Sequence, residues 1–450
     1  MKKIIRIAVV FAGLVMLIGC NKKSNSKNIA QEEFKFDIPE SDFNSDFNIE
    51  DNFDEIIIDD TEVPEKKEPI PKRERLRESE EAKIAFESAV ELTGADFEYE
   101  LTTDGEGVVI TKYLSNNTSI KIPSEIEGMP VLELSERLFE YNRDIKDYVT
   151  VVVIPDTVKI LGKNLFCDSQ SIQYVKMSES VTELPDATFY NCKNLKEFYI
   201  PDSVSSIGAG VFYNAGIKSI DLPDGIKYKE VYNWPGVFEG SKIEHAVLPR
   251  DWTSIPSNFF ASSKLIDIEI PSSVTVIGYD AFKDCKYLSS IILPDNLEEI
   301  KSSAFEGTKL LNEFVVPSSV KKIGSKAFRN SGIKRLELPD MVTTLRDDWG
   351  PILWENYDLE YLRISENITE LKYHDLKDTL IKTVNLPSSL RICESEVFPD
   401  SLEELRIPDS LTSVQFDNKV FERIKLPLST QKRLRELGYT GTFAGSRSAQ

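Results

Sequence analysis

The feature that most constrains this chain is a mark that returns about every 23 residues, an aliphatic residue followed by proline. It stands at Ile122-Pro123, Ile154-Pro155, Ile200-Pro201, Leu222-Pro223, Leu248-Pro249, Ile270-Pro271, Leu293-Pro294, Val316-Pro317, Leu338-Pro339, Leu386-Pro387, Ile407-Pro408 and Leu426-Pro427, with Ser178 and Ser365 filling two gaps. From Pro155 the steps are 23, 23, 22, 26, 22, 23, 23, 22, 26, 22, 21 and 19 residues. A second mark keeps phase with the first: Phe166, Phe189, Phe212, Phe260, Phe282, Phe305, Phe328 and Phe398 each lie 11 residues after the proline or its substitute. A fixed period of this length means one small unit repeated, and such a unit buries its apolar residues only by stacking on its neighbours.

Within the unit that starts at Leu265, Ile266 to Ile270 alternates and is β-branched, so it reads as a strand with Ile268 and Ile270 inward. Pro271 ends it. Ser272-Ser273 turns the chain into a second extended stretch carrying Val274 and Ile277, and Gly278 allows the bend into a single helical or 3-10 turn with Ala281 and Phe282. The expected architecture is an α/β repeat solenoid of short parallel strands joined by short helical or 3-10 turns. Ser79 to Leu92 reads as an amphipathic helix that, with a hairpin around Asp104-Gly105, covers the N-terminal end; Ser429 to Leu437 followed by Gly438 closes the other.

Units such as Leu195 to Phe212 and Leu288 to Phe305, with the forms Ile-Pro-Asp-Ser-Val-Ser-Ser-Ile-Gly and Ser-Ser-Ala-Phe, resemble the bacterial leucine-rich repeats of the BspA type, also described from treponemes. Asp96 to Leu101 and Ile122 to Val131 are similar to the region that precedes the repeats in such proteins. The resemblance covers about residues 96 to 440. It implies a leucine-rich-repeat coil, surface display and adhesion or other protein contact, with no catalytic residues to carry over.

The chain begins with Met1-Lys2-Lys3 and Arg6, then an apolar stretch from Ile7 to Ile18 ending in Leu17-Ile18-Gly19-Cys20. Twelve residues at about 1.5 Å each fall short of a hydrocarbon core of roughly 30 Å, so this is an export signal and no spanning helix. The last four residues resemble the bacterial lipobox, in which the cysteine is acylated and becomes the new N-terminus; Cys20 is therefore the expected lipidation site. Residues 21 to 76 read as a disordered acidic tether. Of the formal net charge of −21, Gln31 to Glu62 supplies −12, with 13 acidic residues against one lysine. Asp42-Phe43-Asn44, Asp46-Phe47-Asn48 and Asn52-Phe53-Asp54 form a small aromatic-acidic repeat inside it, read as a solvated spacer. The expected divisions are thus a signal over 1–20, a tether over 21–76, a cap and first repeat over 77–130, a solenoid over 131–427, and a closing cap and tail over 428–450.

No chemistry of catalysis stands out. His245 and His374 lie near no pattern of metal-ligand spacing, and neither a glycine-rich phosphate loop nor a nucleophile elbow occurs. Cys192 and Cys285 both come three residues after the phenylalanine and read as equivalent buried residues of the coil. The absence of a basic stripe argues against nucleic acid. No enzyme, cofactor or metal is expected.

What remains is surface. Strand alternation exposes the residues two and four before each proline, and stacked coils set these into two ladders. Tyr174 and Tyr199 make an aromatic patch, while Val247, Ile292 and Val315 put apolar side chains on a face that meets water. Arg335, Arg363, Arg406 and Arg423, with Tyr361 among them, make the C-terminal third basic. Exposed aromatic, apolar and arginine groups are what interface hot spots use, so these residues are the candidates for binding a protein ligand. The rival reading is a structural or self-associating spacer in the envelope. Both readings place the chain in the cell envelope, held by lipid at the outer membrane or cell surface.

The two 26-residue units hold their four extra residues between proline and aromatic, so that Phe238 and Trp354 fall 15 after Pro223 and Pro339. Each insertion carries a tryptophan, in Trp234-Pro235-Gly236 and Trp349-Gly350-Pro351. These tryptophans are expected to fill a widened coil, the alternative being a second contact site on one edge.

Overall fold

Each unit closes into one turn of a parallel β-solenoid, and the unit around Pro271 shows how. In the computed structural model, which describes residues 77–139, 148–229, 231, 233–312, 314–415 and 420–444, the strand Asp267–Glu269 turns Ile268 into the core and is followed by buried Ile270. After Pro271, Val274 is buried and a second strand, Val276–Ile277, buries Ile277. Both strands pair in parallel with their counterparts one unit on, Asp267 opposite Ser290 and Val276 opposite Glu299. Such stacking of about 13 coils makes a solenoid with little helix. The signal, Cys20, the acidic tether and its aromatic repeat lie outside the described residues.

The segment carrying Ala281 and Phe282 is neither helical nor 3-10, which corrects the expectation for that corner. The backbone N–H groups there donate forward to the next coil, Asp280 to the Ser302 carbonyl at 3.2 Å, Phe282 to Ala304 at 2.9 Å and Asp284 to Glu306 at 2.7 Å. A helix would need those donors for itself. Asp280 and Asp284 meanwhile adopt left-handed backbone (φ 54° and 55°), a conformation that short polar residues tolerate and a helix does not. Gly278 is required for closeness and not for a bend: a Cβ there would lie 2.6 Å from the carbonyl oxygen of Ile255 in the preceding coil.

The phenylalanines form a spine. Phe139, Phe166, Phe189, Phe212, Phe238, Phe260, Phe282, Phe305 and Phe328 stack ring on ring with centroids 5.2–6.2 Å apart and planes within 11° of parallel. From Phe166 onward these rings are 0% exposed. Beside the spine runs a row of small polar side chains three residues further along. Cys192 and Cys285 hold equivalent places, each Sγ donating to a spine carbonyl at 3.0 Å, that of Phe166 and of Phe260. Thr308 and Thr379 hold the same place by donating to Phe305 and Leu376 at 2.8 and 2.9 Å. Burial pushes the Cys285 thiol up to about 12, so it packs as a neutral group.

The first sheet is interrupted at the coils of Tyr199 and Val315, where the described residues form no strand. Both coils carry a phenylalanine, Phe198 or Phe314, at the inward place that holds Ile268 or Leu336 elsewhere. Each wedges between two spine rings, Phe198 at 4.7 and 5.4 Å from Phe189 and Phe212, and Phe314 at 4.9 and 5.2 Å from Phe305 and Phe328. In both coils a larger ring takes an aliphatic slot where the pairing lapses, and the first sheet lapses as well between Tyr361–Arg363 and Thr383–Asn385, where the inward residues are Leu362 and Val384.

The ends differ from each other. Helix α1 (Glu80–Ser88) is capped by the Ser79 hydroxyl, which accepts from the Ala82 N–H at 3.1 Å. It stops because Val90–Glu91 joins the sheet beside Ile120–Lys121. The hairpin Phe97–Leu101 with Val108–Tyr113 covers the first coil, pairing in parallel with Met129–Leu134. At the far end α2 (Val420–Arg423) and α3 (Leu428–Glu436) close the core through Phe421 and Leu434, and Gly438 (φ 96°) turns the chain so that Tyr439 packs edge-on against Phe421.

The tryptophans of the insertions do not fill the coils. Trp234 is 42% and Trp349 79% exposed. Phe238 restores the spine, and in the second insertion Ile352 and Leu353 are the buried residues while Trp354 is half-buried under Lys326 Nζ, 5.1 Å from its ring centroid. Four residues are more than a corner needs, so the excess is pushed outward. Arg346–Asp347 and Gly350–Pro351 pair as a small antiparallel hairpin with Trp349 at its tip.

Replacing Phe282 by Ala removes a ring stacked on both sides and is expected to cost about 3–5 kcal/mol, read as a lower urea midpoint; a loss under about 1 kcal/mol would contradict the spine's role. Next to the second insertion, desolvation pushes the buried Asp375 carboxyl up to about 6, opposed by the Lys372 N–H and Arg346. The folded chain therefore holds this proton more tightly than the unfolded chain, whose carboxylate titrates near about 3.9. Its contribution to stability is complete below about pH 4 and lost as pH rises through about 6. Asp375→Asn should raise the melting temperature at pH 7 and leave it nearly unchanged at pH 4, and an equal shift at both would reject this assignment.

Candidate interaction surface

Outward residues of the first sheet stand in register. Ser219, His245, Asp267 and Ser290 pair in sequence, as do Glu269 with Ile292, Glu337 with Arg363 and Asn385 with Arg406. On this face Ile292 is 54% and Val315 82% exposed, and Val247 is half-buried. Arg335 lies flat on Tyr361, its Cζ 3.8 Å from the ring centroid, and its Nη2 meets Glu337 at 2.5 Å. Arg363 turns off the face, donating from Nη1 to the Leu338 carbonyl at 2.9 Å and from Nη2 to Asp340 at 3.0 Å. The basic C-terminal third expected from sequence is thus largely offset by local acids. Arg406 is exposed on its strand. Arg423 ends α2 and donates to the Pro399 carbonyl at 3.3 Å, so it belongs to no strand ladder.

Tyr174 is not an open face residue. It is 4% exposed, because α1 lies across the strands Ser119–Lys121, Val151–Val153 and Tyr174–Lys176 instead of over the end of the stack. Phe86 meets Tyr174 edge-on at 6.3 Å, and with Ala82, Ala89 and Val151 the two rings form a small apolar cluster apart from the main core. Burial, with Glu81 beside it, raises the tyrosine's titration above its ordinary range while Lys196 opposes the shift. Charged contacts fasten the helix: Lys196 Nζ to Glu81 at 2.5 Å, and Glu197 accepting from both the backbone N–H and the hydroxyl of Ser79 at 3.0 Å. Where the helix begins, a cleft of 290 Å³ opens between it and the sheet, bordered by Arg77, Glu78, Lys176, Lys218 and the half-buried Tyr199. The only advance signal for this cover was the apolar spacing of Ala82, Phe86 and Ala89; which surface it would seek was not legible.

Among the described residues no group of three His, Cys, Asp or Glu side chains is placed to hold a metal ion, and no helix is long and apolar enough to cross a membrane.

Six copies of the BspA type leucine-rich repeat region match residues 111–234, 234–349 and 353–440. The chain belongs to the BspA-type leucine-rich-repeat family. A solved leucine-rich repeat protein from Bacteroides ovatus shares its fold, with 18% identity and a TM-score of 0.59 over 71% of this chain and 89% of that one. A leucine rich cell surface protein from Faecalibacterium prausnitzii is similar at 23% identity and a TM-score of 0.45, covering 73% and 94% of the two chains. The leucine-rich repeat protein of T. pallidum gives 20% identity and a TM-score of 0.21 over 79% and 100%. No curated protein matches.

In this BspA-type array the first strands are therefore already occupied, and the open part of the face begins at Tyr199. Replacing Phe86 by Ala removes the one ring that holds α1 down, at a cost of about 3 kcal/mol. Hydrogen exchange should then lose its protection at residues 80–88 while the strands from Ser219 onward keep theirs; unchanged protection of the helix would show that the charged contacts alone hold it.

Proposed function

We propose that this BspA-type protein is a non-catalytic, lipid-anchored binder of the cell envelope that takes a protein ligand on the open first-sheet face, from Tyr199 through Val247, Ile292 and Val315 to Arg335, Tyr361 and Arg406, with Arg363 turned aside at its rim. The observation that carries the reading is the exposure of Ile292 and Val315 (54% and 82%) on adjacent coils, Ile292 on a strand of the first sheet and Val315 in the next coil, where the pairing lapses. Apolar side chains held outward on a rigid lattice cost nothing to pre-organise and gain by being covered. The helix α1 supports it from within the molecule: the same face one third of the chain earlier binds an amphipathic element through an aromatic contact ringed by ion pairs. Acylation of Cys20 after export would hold the array at the membrane, with residues 21–76 as the spacer.

Val315→Asp puts a charge at the centre of the patch without touching the core. With the purified mature chain immobilised and a series of envelope and extracellular-matrix proteins passed over it, this change should weaken any saturable binding at least about ten-fold, equivalent to 1.4 kcal/mol. Tyr199→Ala and Arg363→Glu should weaken it less, as residues of the rim. If every binding partner found is indifferent to all three changes, the sheet face is not the reader. Loss of membrane association on Cys20→Ala, followed by fractionation, tests the anchor separately.

A further inference from the structure

Away from the sheet face, a second set of exposed rings follows one corner of the coil, between the second extended stretch and the spine position. Trp234 and Trp349 leave it through the two insertions, and Tyr279 and Tyr373, 49% and 48% exposed, occupy it in units of ordinary length. The four lie in the coils that start at Pro223, Pro271, Pro339 and Ser365. Counting coils at about 4.8 Å each, the file is about 29 Å long, with its members about 10, 14 and 5 Å apart in turn.

The Trp349 hairpin and the two tyrosines are tied to neighbouring coils or side chains. Asp347 accepts from the Ser302 hydroxyl at 3.0 Å, the Ser325 N–H at 2.7 Å and the Trp349 N–H at 2.8 Å, which ties the hairpin to the two coils before it. Arg346 donates to the Tyr373 carbonyl at 3.3 Å, tying it to the coil after. Tyr373 stacks on His374 at 3.8 Å, and Tyr279 carries Lys301 Nζ 4.8 Å from its centroid. A tryptophan 79% in water on a rigid hairpin gives the fold no apolar burial, so its stabilising value to the coil is small.

Protein hot spots gather at the centre of a contact and are ringed by neutral residues. Here the rings follow one another along the stack at multiples of the coil repeat, with a charged side chain beside two of them, Lys301 at Tyr279 and exposed Asp348 at Trp349. That spacing suits a partner that is itself linear and periodic and offers flat C–H faces for rings and hydroxyl groups for the charges beside them. We infer that this corner is a binding edge for a linear β-linked polysaccharide, separate from the protein-binding face and without hydrolysis of the sugar. Trp349 and Tyr373, on neighbouring coils, form the main stacking pair; Tyr279 and Trp234 extend it.

The test is calorimetric titration of the mature chain with hexasaccharides of β-1,4-linked glucose, N-acetylglucosamine and mannose. Binding of at least one in the micromolar to low millimolar range is expected, with Trp349→Ala weakening it about ten-fold or more, Trp234→Ala less, and Val315→Asp without effect. Circular dichroism of the Trp349→Ala chain should match the parent, since the side chain lies outside the core. Absence of heat with all three sugars overturns the inference, as does binding unchanged when both tryptophans are removed. Loss of a protein partner on Trp349→Ala with no sugar bound would assign the edge to protein and equally overturn it.

Discussion

The structure depends on donors and rings that each coil leaves open toward the next. Asp280, Phe282 and Asp284 give their N–H groups forward to Ser302, Ala304 and Glu306, and Phe282 lies 5.4 Å from Phe305 in nearly parallel planes. Neither interaction closes within a unit. A coil cut from the stack would expose a ring, three backbone donors and the inward aliphatics together, which is why the array folds only as an array and why each end needs a cover of a different kind. At the start a hairpin supplies strands that match the stack, and at the end two short helices supply side chains alone.

The same dependence explains where variation is allowed. A four-residue insertion at the corner before the spine leaves the first strands paired across it, Ser219 with His245 and Arg335 with Tyr361. At the first insertion it also keeps the ring stack in phase, Phe212 on Phe238 at 5.5 Å and 1°. Among the described residues the second-strand pairing lapses at both insertions. A phenylalanine in place of an inward aliphatic is tolerated too, with strand pairing absent at the coils of Phe198 and Phe314. The sheet can lapse because the second strands and the spine carry the stack past the gap: Glu299–Ile300 still pairs with Lys322–Ile323 behind Phe314.

Much of this was legible in the sequence. The proline and phenylalanine periods predicted the coil, the inward places of Ile154, Ile200 and Leu338, and the equivalence of Cys192 and Cys285, because those features repeat and repetition averages out local accident. What escaped was whatever occurs once. The corner at Ala281 reads as a helical turn on local propensity, but its N–H groups are claimed by the next coil, a partner more than 20 residues away. Tyr174 and Tyr199 both read as outward residues of neighbouring coils, yet one lies beneath α1 and the other beside its start. Trp234 and Trp349 look like core residues because tryptophan usually is, and only the crowded spine shows that the coil had no room for them.

The geometry of α1 also bears on what the open face can hold. An α-helix advances about 5.4 Å per turn and parallel strands lie about 4.8 Å apart, so a helix laid along the solenoid axis meets roughly one strand per turn. Ala82, Phe86 and Ala89 fall one turn apart and face three successive coils. Past the break at Tyr199 a second run of strands stands in register from Ser219 to Ile292, and its strand spacing offers the same match to an apolar stripe of helical spacing. What changes along the face is the side chains: Tyr174 and Val151, buried under α1, give way to the exposed Ile292 and Val315 further on.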